Sequence, residues 1–185
     1  MKDRKYRKIN LEEDIFVQIA NNDSKAFEEL YLSTWRNVYA FALSILRNHE
    51  DSMDVLQDTY LKIRSAAHLY QPMGKPMAWI FTITRNLAMS KLRLINKSES
   101  ALPEELENSL SFSYISNIDD RIVLIAALSI LDMEEREIIM LHAISGFKHR
   151  EIAKHLGISL GTVLSKYNRG LKKLKKHLKD QEGQG

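Results

Sequence analysis

Thr162, Ser165, Lys166 and Arg169 recur at spacings of three and four residues, and Lys172, Lys173 and Lys176 follow them. On a helix this spacing gathers hydroxyl, ammonium and guanidinium groups on one side. Lys and Arg pair with guanine edges, and Ser and Thr contact bases or phosphates. The later lysines suit phosphates, which add affinity without sequence information. All of them lie in residues 148–179, where ten basic residues, among them Lys148 and Arg150, face Glu151 alone, giving +9 over 32 residues. Charge of that density is the footprint of a polyanion binder. Lys175 to Lys179 alone would read as a solvated tail.

No other constellation offers catalytic chemistry. The six histidines, His49, His68, His142, His149, His155 and His177, are scattered. His149 and His155 stand six apart, on different faces of a helix, and no His-Glu-x-x-His pattern occurs. Nucleophile elbow, phosphate loop and dinucleotide fingerprint are all missing from the sequence. The histidines therefore read as surface or capping residues. Cysteine is absent, which excludes a disulfide scaffold, thiolate metal sites and cysteine nucleophiles and suits a reducing cytosol. The expectation is a cytoplasmic protein that is not an enzyme and has no cofactor, metal or small-molecule substrate.

The elements that position these groups read as helices. The chain's 185 residues allow one domain or two small ones, and its three prolines and seven glycines leave little punctuation. No apolar run approaches the ~18 residues needed to span a bilayer, and the basic segment from Met1 to Lys8 has no apolar stretch behind it. Phe27, Leu30, Tyr31, Trp35, Val38, Ala42 and Ile45 give one helix face from Ser24 to Leu46, capped by Asp23 or Ser24. A shorter helix is expected from Leu11 to Ala20. A third, capped by Asp51, turns Val55, Leu56, Tyr60 and Ile63 inward. The loop from Tyr70 to Pro76 precedes a fourth, running from Pro76 to about Leu94.

Residues 97–120 hold one basic residue against six acidic ones and lack sustained periodicity. They read as a flexible acidic linker. The fold expected is all-α, with two small helical domains, 1–96 and 120–185, joined by the linker 97–119.

In the second domain Asp132 caps a helix with Ile138, Ile139, Leu141 and Ile144, which Gly146 stops. Beyond it come the marks of a helix-turn-helix. Ala153 is small where two helices cross, Gly157 suits a turn of positive φ, and Val163 plugs the core. Ser159 can cap the second helix, whose first turn would enter the major groove.

At this point a family pattern emerges. Ile130-Leu-Asp-Met-Glu-Glu-Arg-Glu-Ile-Ile-Met-Leu141, Gly146-Phe-Lys-His-Arg-Glu-Ile-Ala153 and Gly161-Thr-Val-Leu-Ser165 resemble region four of bacterial sigma factors. Asp23-Ser-Lys-Ala-Phe-Glu-Glu-Leu-Tyr31, Asp51-Ser-Met-Asp-Val-Leu-Gln-Asp-Thr-Tyr60 and Ala78-Trp-Ile-Phe-Thr-Ile-Thr-Arg-Asn-Leu-Ala88 resemble region two. The short linker points to the extracytoplasmic-function (ECF) subfamily.

The resemblance implies a promoter-specificity subunit that binds core RNA polymerase and promoter DNA, restrained by a membrane-linked anti-sigma factor. It implies that Asp54, Gln57 and Asp58, on one helix face, dock on the polymerase clamp. It assigns Thr82, Arg85, Asn86, Met89, Lys91 and Arg93 to the minus-ten element, with Trp79 and Phe81 in the core. Tyr70 lies in the loop where family members hold a flipped base; it could stack on that base or anchor the loop. The minus-thirty-five set is Lys148, Arg150, Ser159, Thr162, Ser165, Lys166, Arg169, Lys172 and Lys173.

Some positions depart from the family pattern. Leu164 stands where members often carry Lys or Arg, Met89-Ser90 replaces a pair that is often aliphatic and acidic, and Gly170 interrupts the recognition helix at a cost of roughly 1 kcal/mol unless a close approach requires it. The competing reading is a conventional helix-turn-helix regulator that binds duplex DNA without polymerase.

Overall fold

The chain's structure, a computed structural model, describes residues 11–72, 74–98 and 130–182. Expectations for the basic N-terminal segment and for linker residues 99–119 fall outside these residues. Among the described residues there are seven α-helices and no strand: α1 (Asp14–Ala20), α2 (Ser24–Leu46), α3 (His49–Ala66), α4 (Pro76–Ser98), α5 (Met133–Ser145), α6 (His149–Leu156) and α7 (Leu160–Glu182), with a 3-10 turn at Ala67–Leu69.

Local chemistry sets most boundaries. Asp23 accepts from the amides of Lys25 and Ala26 at 2.8 and 3.2 Å and starts α2. Arg47, left-handed at φ 57°, ends it. The cap of α3 lies three residues before the expected Asp51: Asn48 is extended, and its side chain accepts from the Asp51 amide at 3.0 Å. Glu50 and Asp51 then occupy the first turn, where the helix dipole favours negative charge. α1 starts at Asp14 rather than Leu11 and has no side-chain cap. α4 runs past Leu94 to Ser98, so its last turn enters the segment read as linker.

α2, α3 and α4 pack against one another around Phe41, Leu43, Leu56, Ile63, Ile80 and Phe81. The rings of Phe41 and Phe81 stack at 4.6 Å, so Phe81 is core as expected. Buried hydroxyls are satisfied locally: Thr34 lies 2.6 Å from the Leu30 carbonyl and 2.7 Å from the Tyr60 hydroxyl. Burial pushes the Tyr60 phenol far above its usual range. Such pairing is what keeps polar atoms tolerable in a core.

In the second half, α5, α6 and α7 close over Ile138, Leu141, Ile152 and Val163, each fully buried. Gly146 and Gly157 both sit at φ 69°, a left-handed turn that suits glycine. α5 also lies against α2 and α4. The apolar core is therefore continuous from one half into the other.

Candidate nucleic-acid interface

The turn between α6 and α7 is built as its sequence demands. The Gly157 and Ile158 amides both return to the Ala153 carbonyl, and the Ser159 hydroxyl accepts from the Thr162 amide at 3.0 Å. Val163 points inward, leaving Ser165 exposed and Thr162 half-buried on the first two turns of α7. Gly161 leaves that surface open, since a Cβ there would meet only the Ser159 hydroxyl at 3.8 Å. Lys148, Arg150 and Lys172 are exposed. Ser159, Thr162 and Ser165 thus sit at the dipole-positive start of α7, a favourable setting for phosphate, while Lys148 and Arg150 stand at the start of α6 and Lys172 lies further along α7.

Further along α7 three cations are engaged within the protein. Lys166 meets Glu134 at 2.6 Å. Arg169 pairs with Glu135 and reaches Asp132 at 3.2 Å. Lys173 meets Glu135 at 2.7 Å. Glu135 has no exposed side-chain surface and also accepts from the Asp132 amide, completing a capping box. Burial pushes its carboxyl up, but Lys173, Arg169 and that amide together hold it below the usual carboxylate range. Gly170 explains the close approach: a Cβ there would lie 2.7 Å from Cδ1 of Ile139 and 3.5 Å from Cβ of Glu135. The glycine that breaks the helical pattern is where α5 crosses α7.

The minus-ten set spreads along α4. Asn86 and Arg93 are exposed, and Met89 packs half-buried on the core. Thr82 donates its hydroxyl to the Ala78 carbonyl at 2.8 Å. Arg93 caps the Met89 carbonyl at 3.2 Å. Arg85 pairs with Glu137 of α5. Lys91 lies between Asp54 at 2.5 Å and Asp51 at 3.0 Å, and its ammonium is raised chiefly by Asp54.

Asp54, Gln57 and Asp58 stand exposed along one side of α3 as expected. Leu61, one turn on and 65% exposed, extends that face with an apolar group. Tyr70 turns inward: its ring lies 4.1 Å from that of Phe16 and edge-on to Trp79 at 5.3 Å. Its hydroxyl donates to Glu13. In this structure Tyr70 anchors the loop.

Several engaged residues escaped the sequence reading. Glu135 stands three residues after Asp132, a capping-box spacing that could have revealed it. Glu151 stands at the same spacing from Lys148, whereas Glu13, Lys75 and Glu137 carry no such signal. Lys75 pairs with Glu151 of α6, which also accepts from the Lys148 amide at 2.6 Å. The histidines are not all surface groups. His142 and His149 stack at 4.5 Å with Tyr167 edge-on to both, and burial lowers His149 and His155. Among the described residues no group of three His, Cys, Asp or Glu could hold a metal ion, and no helix is long and apolar enough to cross a membrane.

Comparison with known proteins places both halves. Residues 30–97 match Sigma-70 region 2 and residues 121–174 match Sigma-70 region 4. The chain is 28% identical over 169 residues to the ECF RNA polymerase sigma factor SigK of Mycobacterium sp. strain KMS, covering 85% of this chain and 86% of that one. It is 30% identical over 139 residues to the ECF sigma factor EcfG of Rhodopseudomonas palustris strain TIE-1, covering 73% and 75%. Among solved structures it resembles the sigma factor RpoE of Bartonella quintana, crystallised with the anti-sigma factor NepR. That likeness has a TM-score of 0.65 and 27% identity, over 84% of this chain and 98% of that one.

Proposed function

The chain belongs to the ECF family of RNA polymerase sigma factors, the promoter-specificity subunits of bacterial transcription initiation, and from that premise we propose how its surfaces divide the work. The observation that carries the reading is the order of the two matched regions, region 2 over 30–97 and region 4 over 121–174, on one short chain. Residues 1–96 form the polymerase-binding and minus-ten unit, 97–119 the linker and 120–185 the minus-thirty-five unit. The protein works in the cytoplasm and is not itself an enzyme.

Asp54, Gln57, Asp58 and the neighbouring Leu61 meet the clamp of core RNA polymerase, an acidic and amide face with an apolar edge. Asn86 and Arg93 follow the minus-ten strand, with Arg85 and Lys91 joining once their carboxylates release them. Thr162 and Ser165 read the minus-thirty-five duplex from the first turns of α7. Lys148, Arg150 and Lys172 hold the phosphates. An anti-sigma factor restrains the protein, as NepR accompanies RpoE.

Run-off transcription with purified core polymerase on the promoter upstream of the chain's own gene tests the reading. A start site that depends on the protein and disappears with Asp58→Ala or with Ser165→Ala supports it. A chain that binds duplex DNA tightly alone and does not co-purify with core polymerase is a conventional regulator instead.

A further inference from the structure

Glu13 occupies the cap position of α1, yet its side chain caps nothing there. Its carboxylate reaches across the sequence instead. It accepts from the Tyr70 hydroxyl and, at 2.9 Å, from the Gly74 amide. These donors are 57 and 61 residues away and lie on the loop between the 3-10 turn and α4. Both bonds are charge-assisted, the stronger class.

The surroundings make this clasp rigid on one side. Phe16, on the first turn of α1, is fully buried. It carries the Tyr70 ring at 4.1 Å and the Trp79 ring at 5.0 Å. Gly74 stands at φ 70° with nothing within 4 Å of a Cβ built on it. The glycine therefore serves a backbone shape, and Glu13 binds the amide that the shape presents. With Tyr70 held inward, Gln71 and Pro72 beside it stand exposed.

We propose that Glu13 is a positioning residue for promoter recognition, which fixes the loop around Tyr70 and Gly74 in the conformation that meets the minus-ten strand. The proposal rests on the sigma reading above and names the residue just before α1, which touches no DNA itself. Glu13 acts through the loop: it decides which way Gln71 and its neighbours face, and so which bases they accept.

The test is transcription by reconstituted holoenzyme from two promoter libraries, one randomised in the minus-ten element and one in the minus-thirty-five element. Glu13→Ala, which deletes both charge-assisted bonds, should flatten the minus-ten preferences by roughly tenfold or more. Glu13→Gln, which keeps an acceptor oxygen, should recover most of the preference. Tyr70→Phe should change the same minus-ten positions more weakly, and the double variant should go no further than Glu13→Ala. Minus-thirty-five preferences and co-purification with core polymerase should stay as in the wild type.

A uniform fall in transcription across both libraries, with minus-ten preferences intact, overturns the proposal and leaves Glu13 a structural residue. Should Glu13→Ala fail to fold, unchanged minus-ten preferences in Tyr70→Phe and Glu13→Gln overturn it equally. A wild-type chain that yields no protein-dependent transcript overturns the sigma reading and this proposal with it.

Discussion

Arg85 on α4 and Glu137 on α5 form an ion pair between residues 52 positions apart, joining the two halves of the chain. The Glu137 side chain is 5% exposed and that of Arg85 24%. Burial pushes the Glu137 carboxyl up, and Arg85 works against that rise. Nearby, burial together with Arg47, just past the end of α2, lowers the Arg136 guanidinium to about 10. Attraction and repulsion thus meet on neighbouring residues of α5. Glu137→Gln keeps the volume and deletes the charge. It should cost about 1–3 kcal/mol in urea unfolding, since Arg85 is left partly buried beside a neutral amide. It should also raise affinity for a single-stranded minus-ten oligonucleotide.

Gly170 gives a sharper test. Alanine there gains roughly 1 kcal/mol of helix propensity but drives its Cβ into Cδ1 of Ile139 at 2.7 Å. Ile139→Val removes the obstructing methyl. In that background Gly170→Ala should stabilise by about 1 kcal/mol by thermal melting, whereas in the wild type it should stabilise less or destabilise. Equal effects in both backgrounds would show that the contact does not govern the position.

Glu135 links stability to pH. Its carboxyl is held below the usual range, so its contribution is present above its unfolded value of 4.5 and lost as pH falls through the lower folded value. Glu135→Gln should cost about 1–3 kcal/mol at neutral pH, and the penalty should shrink as the medium is acidified below 4.5. DNA affinity should move the other way, because Arg169 and Lys173 lose their carboxylate.

Asp54 and Asp58 are four apart on one face of α3, yet their substitutions should not be equivalent. Asp54 holds Lys91, whereas Asp58 stands exposed on the same face. Asp58→Ala should weaken binding to core polymerase alone. Asp54→Ala should weaken it too while strengthening minus-ten strand binding through Lys91, which then keeps Asp51 alone. Parallel titrations against core polymerase and against single-stranded DNA separate the two.

Much of the frame was legible because its causes are local. The period of three and four in α2, the capping side chains of Asp23, Asp132 and Ser159, and the positive-φ glycines 146 and 157 are each decided within a few residues. So is the helix-turn-helix spacing of Ala153, Gly157 and Val163. Asp51 misled because two polar residues compete to cap α3, and the extended backbone at Asn48 decides between them. The pairs Arg85–Glu137, Lys75–Glu151 and Tyr70–Glu13 were not legible. They depend on packing between distant elements; along the sequence the charged members look like ordinary solvated groups, and nothing near Tyr70 points to Glu13 as its partner. Gly170 was visible as an anomaly, but Ile139, its reason, was not.

The ion pairs along α7 also change how binding must respond to salt. Affinity for DNA falls with salt in proportion to the phosphates newly neutralised, about 0.9 decade per decade of salt for each. Lys166, Arg169 and Lys173 bring their own counter-charge in Glu134, Glu135 and Asp132. They displace few condensed cations from the duplex unless those carboxylates move away. The +9 of residues 148–179 therefore overstates the ionic work available. The slope of log affinity against log salt becomes a count of how many carboxylate partners let go when the protein closes on its promoter.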